Sequence, residues 1–519
     1  MLLPRLRCAA LVVVLAMLLA GCGLFQSSEE QRSQPTATLT PSPMGSTGPD
    51  ATGTANAELT RFYAQKLSWR SCRDANQCAT LKVPLDYTQP EARTIRLSLL
   101  KIPAGSQKRR IGSLIVNPGG PGGSGVDYAA TAGSSFGNEL LQVFDVVGFD
   151  PRGVGTSTPL DCVGTKKLDA LVASDPDSET PAEVRYSDGL LKELGQGCVR
   201  KSGDLVRHMS TLEVAKNVDI LRAALGDQKL SYFGASYGTS IGARYAELFP
   251  ERVGRMVLDG ALDPSLSTTE VNLVQARSFE VSLRAYVRSC VNGSRCFLGD
   301  SVDAGTQRIR EFLDSVEKQP LPAAGPRELE SGTAMLGVWL PLYSKSYWSL
   351  LDSALVAGFR GDGSELLRLA DAYVSRGPNG YTDNSLEAIY AVNCLDHDDA
   401  IPSSEVGPYV ARYEKASPTF GATFAYSLAA CANWPVRSGT EAAPVEAEGA
   451  APILVVGTTR DPATPLVWTR ALAGQLDSGI LVKRDGDGHT GYHAGNSCVD
   501  TTVESYLVAG KVPTGEVDC

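Results

Sequence analysis

The pattern Gly-x-Ser-x-Gly occurs twice in the chain, as Gly133-Ser134-Ser135-Phe136-Gly137 and as Gly234-Ala235-Ser236-Tyr237-Gly238. Small residues on either side of a serine let it sit on a tight strand-to-helix turn with its hydroxyl exposed for nucleophilic attack. Only the second copy has that context. An apolar run, Leu230 to Phe233, predicts a strand before it. A helical stripe of Ile241, Tyr245 and Phe249, stopped by Pro250, follows it. Ser236 is the candidate nucleophile, and Ser135 reads as a loop serine.

A serine hydroxyl needs a base, and the base needs an orienting acid. With the nucleophile on such a turn, acid and histidine follow it in the chain in that order. Of the four histidines, His208 and His397 precede the expected place of the acid, which leaves His489 and His493. His489 follows the last apolar strand run through Asp485-Gly486-Asp487-Gly488 and is the candidate base. His493, four residues on, reads as a surface or substrate-side group. Asp461 directly follows the strand run ending at Gly457, within Arg460-Asp461-Pro462-Ala463-Thr464, and is the candidate acid. Asp485 and Asp487 share the base's own loop and are the structural alternatives. Thr464 is expected to hydrogen-bond near Asp461. The oxyanion of an acyl-transfer intermediate needs backbone donors. Tyr237 N–H, just past the nucleophile, is the expected first. Gly120, in the loop Asn117-Pro118-Gly119-Gly120-Pro121-Gly122-Gly123, is the expected second. The same loop could be a turn or a phosphate cradle, but no Gly-Lys-Ser/Thr follows it.

The elements that must position these residues alternate. Thr94–Leu100 has the period of a half-buried strand. Leu114–Val116 and Val143–Phe149 are short apolar runs closed by Gly/Pro loops, as buried parallel strands are. Ser210–Leu225 predicts a helix: Ser210 and Glu213 form a capping box, Val214, Val218, Leu221 and Leu225 share a face, and Gly226 ends it. Met256–Leu258 predicts another strand. The rhythm stops near Pro264, where a mainly helical stretch begins (Leu366–Val374, for example). It resumes at Ile453–Val456, Ile480–Val482 and a last helix carrying Val499, Val503, Tyr506 and Leu507. Strands alternating with helices imply a parallel α/β sheet, and the long insertion implies a separate helical lobe over it.

The chain has 519 residues, 43% apolar and 20% charged, with net charge −10. These are values of a globular protein with two or three domains, and they give a nucleic-acid backbone nothing to bind. Arg5 and Arg7 precede an apolar run from Cys8 to Ala20, too short to span a bilayer and typical of a secretory signal. The run ends in Leu19-Ala20-Gly21-Cys22, similar to the bacterial lipobox, whose cysteine is lipidated and becomes the first mature residue. From Ser27 to Glu58 the composition cannot offset its ordering entropy and reads as a flexible tether. Ten cysteines remain beyond Cys8 and Cys22: Cys72, Cys78, Cys162, Cys198, Cys290, Cys296, Cys394, Cys431, Cys498 and Cys519. An even number in an exported chain predicts five disulfides, and neighbour pairing is the simplest connectivity because each bridge then closes a local loop. No C-x-x-C or H-E-x-x-H spacing suggests zinc, and no metal or other cofactor is expected.

Taken together, these motifs resemble an α/β-hydrolase peptidase family, the exported actinobacterial tripeptidyl aminopeptidases and their proline-iminopeptidase relatives. The likeness rests on the Asn117–Gly122 loop, Gly148-Phe149-Asp150-Pro151-Arg152-Gly153, Gly234–Gly238 and Tyr245-Ala246-Glu247-Leu248-Phe249-Pro250. It continues through Leu258-Asp259-Gly260, Asp461–Pro465 and Gly488-His489-Thr490. It is also similar to mycobacterial cell-envelope serine proteases of this group, which are lipoproteins. The resemblance implies an α/β-hydrolase fold with a large helical cap inserted between late strands. The expected divisions are a signal at 1–21, a lipid-anchored linker at 22–58, a hydrolase core at 59–263 and 448–519, and a cap at 264–447. It implies Ser236, Asp461 and His489 as the triad and Gly120 and Tyr237 as oxyanion donors. It further implies a peptide or protein substrate and cap carboxylates that hold the substrate's α-ammonium, for which Asp396 and Glu270 are the candidates. Two rival readings are a carboxylesterase, lipase or endopeptidase with the same triad, and a catalytically silent lipoprotein that binds envelope ligands. If Cys22 carries palmitate or a similar acyl group, Cys22→Ala should abolish lipid labelling and release the protein from membranes or leave it unprocessed. Unchanged labelling would contradict the anchor.

Overall fold

Ten strands form one sheet in the computed structural model, which describes residues 39–42, 57–73, 76–178, 180–293, 295–437 and 442–519. The signal run, Cys22 and most of the linker lie outside those residues. In chain order the strands are β1 (Arg70–Cys72), β2 (Asn76–Pro84), β3 (Thr94–Ile102), β4 (Gly112–Asn117) and β5 (Phe144–Phe149). They continue with β6 (Leu230–Ala235), β7 (Val253–Asp259), β8 (Ile453–Arg460), β9 (Gly479–Asp487) and β10 (Val517–Asp518). Across the sheet the order is β1-β2-β3-β5-β4-β6-β7-β8-β9-β10. The first three strands are antiparallel, and β3 meets β5 antiparallel. From β5 onward every pair is parallel. Sequence explains the difference. The parallel strands β4 and β5 are buried throughout, whereas β3 alternates exposed and buried residues as a strand covered on one face does.

The Thr211–Leu225 helix starts and stops where its caps predict. Ser210 Oγ accepts from Glu213 N, and Gly226 ends the helix in the left-handed conformation. The capping box is only half made, because the Glu213 carboxylate turns instead to His208 Nδ1 at 3.0 Å and Arg152 at 3.3 Å. A buried cation is a stronger partner for that carboxylate than a neutral backbone N–H. Arg152 is fully buried. It donates to Leu85 O, Pro84 O, His208 O and Asn217 Oδ1, fixing the turn after β5. Its neighbour Asp150 accepts from Ser124 Oγ, Val126 N and Thr156 N. The Asp-Pro-Arg-Gly segment thus ties the end of β5 to the helix Gly125–Ala130, which follows the glycine loop.

The described residues from Leu39 to Cys519 form one compact unit. Within it the insertion after β7 builds a core of its own from residues such as Leu273, Phe279, Leu283, Leu351, Leu366 and Phe420. The helix Ser385–Asp396 departs from that pattern: its Ala391, Val392 and Leu395 join the core beneath the sheet. A second helical excursion, Thr165–Ala173 with Pro181–Ser202, lies between β5 and the Thr211 helix. Gly332, at the start of the cap helix Ser331–Leu342, packs so close to Val172 O that an added Cβ would lie 2.3 Å from it. Five disulfides join neighbours in sequence: Cys72–Cys78, Cys162–Cys198, Cys290–Cys296, Cys394–Cys431 and Cys498–Cys519. Part of the expected tether is seated on the body, since Ser42 N donates to Val508 O and Arg255 donates to Ser42 O.

Candidate active site

Ser236 follows β6 with φ +53°, a left-handed backbone that costs a residue with a Cβ about 1–2 kcal/mol. Ser236 N donates to Asp259 O at 2.8 Å, and the helix Gly238–Leu248 begins two residues later. The glycine at 234 is a steric requirement: a Cβ there would lie 2.3 Å from Gly238 O. Gly119, at φ +93°, meets the same need from the facing loop, since its Cβ would fall 2.7 Å from Tyr237 N. Asn117 Oδ1 takes the Gly119 N–H. Among the described residues, neither Gly120 N–H nor Tyr237 N–H has a protein acceptor. Gly120, Ser236, Tyr237 and Thr464 all line one cavity of about 570 Å³.

Asp461 is 1% exposed and follows β8, whose register with β9 slips between Thr458 and Arg460. Such a bulge turns the residue after it off the strand direction. The carboxylate accepts from Ala463 N, Thr464 N, Thr464 Oγ1 and Thr490 N, and both of its oxygens lie 2.9 Å from His489 Nδ1. An ionised carboxylate only accepts, so Nδ1 carries the proton and Nε2 keeps its lone pair. Burial pulls the His489 pKa down, but the charge and hydrogen bond of Asp461 outweigh it and the net shift is upward from 6.5. Thr464 Oγ1 also lies 3.2 Å from His489 Nδ1. The imidazole passes over Gly260, whose added Cβ would lie 3.2 Å from His489 Cε1. Gly260 directly follows Asp259, the residue that holds Ser236 N.

The other candidates are placed elsewhere. Ser135 ends a short helix with its hydroxyl on Thr131 O. His493 pairs with Glu504 at 3.8 Å, and Asp485 and Asp487 are spent on Arg460. Glu270 is exposed and completes the capping box of Ser267 at the start of the cap helix Thr268–Val291. Asp396 gives both carboxylate oxygens to Thr211. The carboxylates in the cavity wall are Asp175 and Asp188, from the helical excursion after β5. Asp188 accepts from Ser403 Oγ, and Asp175 from Ser331 Oγ at 3.2 Å. Trp339, Phe279, Phe424 and Met335 add apolar lining to the same cavity.

A sequence-family model described as "TAP-like protein" matches residues 417–519. Serine protease Hip1 of Mycobacterium tuberculosis is 36% identical over 88% of this chain and 91% of its own. Tripeptidyl aminopeptidase of Streptomyces lividans is 32% identical over 87% of this chain and 86% of its own. Carboxylesterase B of Mycobacterium tuberculosis is 35% identical, covering 88% and 90%. This chain belongs to the tripeptidyl-aminopeptidase family of α/β-hydrolase serine peptidases. It is a serine hydrolase with a mostly parallel central sheet.

Two neighbours of the site carry no signature in the local sequence. Tyr343, after the cap helix Ser331–Leu342, accepts His489 N on its carbonyl at 2.8 Å and sets its ring edge-on to the imidazole at 5.3 Å. Asp259, 1% exposed at the end of β7, accepts Gly491 N and Tyr492 N at 2.8 Å each, just past His489. Burial pushes the Asp259 carboxyl up to about 7, against the opposing pull of those two amides. With the folded value above that of the unfolded chain, Asp259 favours folding below about pH 4 and loses that contribution as pH rises through 7. Position, then, and not stability at neutral pH is what this carboxylate supplies. Its charge also raises His489. With the neutral His489 imidazole as the expected base, kcat/KM should fall as pH drops through a value above 6.5. Asp259→Asn leaves one of the two amides facing an NH2 group, which should lower kcat/KM about 10- to 100-fold and move the acid limb to lower pH. An unchanged limb and rate in the variant would contradict this role.

Proposed function

We propose that the protein is an exported, lipid-anchored aminopeptidase that releases short peptides from free N-termini. Ser236, His489 and Asp461 form its triad, with Tyr237 N–H and Gly120 N–H as oxyanion donors. His489 Nε2 takes the Ser236 proton as Oγ attacks the scissile carbonyl, and the two amides hold the oxyanion. The imidazolium, stabilised by Asp461, protonates the leaving amine, and water activated by the same histidine hydrolyses the acyl-enzyme.

The observation that carries the reading is the single cavity joining Gly120, Ser236 and Tyr237 to Asp175 and Asp188, with no Lys or Arg among its described lining residues. Two carboxylates in the wall of the cavity that holds Ser236 suit a substrate whose α-ammonium forms a charge-assisted pair there, so that chain length is counted from the terminus. Asp175 and Asp188 take this role in preference to Asp396 and Glu270, whose oxygens are engaged away from the cavity. The sequence of the signal, the cysteine at 22 and five disulfides support an oxidising location outside the membrane. The second reading, an esterase, is favoured by the 35% identity to a protein named carboxylesterase B.

The test compares kcat/KM on a tripeptide amide with a free N-terminus, the same peptide N-acetylated, and a p-nitrophenyl ester. Acetylation should lower the rate by at least about 100-fold, the worth of a desolvated charge pair. Asp175→Asn with Asp188→Asn should remove the discrimination. Equal rates on the two peptides would make it an endopeptidase, and turnover of the ester alone an esterase. Ser236→Ala should lower every rate by several orders of magnitude.

A further inference from the structure

Asp396 ends the helix Ser385–Asp396 and meets the first residue of the Thr211–Leu225 helix. Its Oδ1 accepts from Thr211 N at 2.8 Å and its Oδ2 from Thr211 Oγ1 at 2.5 Å. The same Thr211 hydroxyl lies 2.5 Å from Tyr237 Oη. The donor order follows from the chemistry. A carboxylate only accepts, so the Thr211 proton points to Asp396, and the oxygen's remaining lone pair must receive the Tyr237 proton. Burial, reinforced by the Asp396 charge, holds the Tyr237 phenol well above 10, so it keeps that proton to give. Tyr237 is 7% exposed and Thr211 5%. Turning the ring would break the relay between two buried residues.

One residue therefore carries both ends of the arrangement. The Tyr237 side chain is tied through Thr211 to the inserted region, while the residue lines the cavity with Gly120 and its backbone N–H has no protein acceptor among the described residues. The disulfide Cys394–Cys431, two residues before Asp396, fixes the end of the helix that delivers the carboxylate. We propose that Asp396 is a positioning residue of the reaction: through Thr211 it fixes the Tyr237 ring, and with it the Tyr237 N–H that receives the oxyanion. This rests on the reading of Ser236 as nucleophile and Tyr237 N–H as oxyanion donor. Asp396 then acts on every acyl substrate alike and recognises no part of the peptide.

The test measures kcat, KM and thermal midpoint for Tyr237→Phe, Thr211→Val, Thr211→Ser and Asp396→Asn. Substrates are the free tripeptide amide, its acetylated form and the p-nitrophenyl ester, with Ser236→Ala as the inactive reference. Tyr237→Phe, Thr211→Val and Asp396→Asn should each lower kcat about tenfold or more on whichever substrates the wild type turns over. That loss stays below the 10²–10³ of deleting an oxyanion donor outright. KM should not change, and Thr211→Ser should restore the rate. The double variant Tyr237→Phe with Asp396→Asn should be no slower than the slower single variant, because both cut one relay. Lower thermal midpoints with unchanged kcat would reduce the contact to a helix cap and overturn the proposal. So would a KM increase in Asp396→Asn confined to the free-amine peptide, which would make Asp396 the ammonium carrier. Should Asp396→Asn not fold, Tyr237→Phe and Thr211→Val decide the matter alone. Full activity in Ser236→Ala would instead remove the underlying assignment of the nucleophile.

Discussion

The left-handed backbone at Ser236 is the constraint around which the rest of the site is arranged. An L-residue adopts φ +53° only where its surroundings leave it no better choice. Here the surroundings are backbone. Asp259 O holds Ser236 N, and Gly234 and Gly238 are packed too tightly for a side chain at 234. Gly119 brings the loop after β4 within reach of Tyr237 N. The next N–H, that of Tyr237, has no protein acceptor among the described residues, so the proposed nucleophile and the proposed oxyanion donor share one distorted turn. Its cost of about 1–2 kcal/mol is offset by the buried parallel strands on both sides of β6.

The inserted region is more than a cover, because it holds the proposed machinery at three separate points. Tyr343 binds the main chain of His489 and backs its ring. Gln275 donates to Ala463 O and Ser282 to Arg460 O, on either side of Asp461. Asp396 reaches Tyr237 through Thr211. From the sheet side, Asp259 secures the segment after His489. Loops that project from strand ends are otherwise the mobile part of such a fold. Acyl transfer tolerates little misplacement of the base or the oxyanion donors, and these contacts limit it from both sides.

What was legible in the sequence is what local pattern encodes. The buried runs of β4 to β9, the helix from Thr211 and the strand-turn-helix around Ser236 follow from periodicity and caps. Asp461 and His489 follow from their places after β8 and β9. Asp461 and His489 are joined by a hydrogen bond, although Asp485 and Asp487 stand closer to His489 in sequence. Contacts between distant segments were not legible. Nothing in Ser174-Asp175-Pro176 indicates that it lines the same cavity as a serine far along the chain, and Asp259 reads as the polar end of a strand. Asp396 reads as a substrate carboxylate from its type and its disulfide neighbour, yet in the fold both of its oxygens accept from Thr211. Its actual partner, Thr211, is an uncommitted helix N-terminus that only the folded chain brings near. Glu213 shows the same limit on a smaller scale: its spacing specified a capping box, but a buried arginine from another segment claimed the carboxylate.

The central claim is that Ser236 alone becomes acylated. The direct measurement is intact-mass and peptide-level mapping of the soluble protein after treatment with a fluorophosphonate probe. One adduct per chain, confined to the peptide containing Ser236 and forming more slowly as pH falls below the His489 pKa, is the result this account predicts. No adduct, or an adduct on another serine such as Ser135, would contradict it.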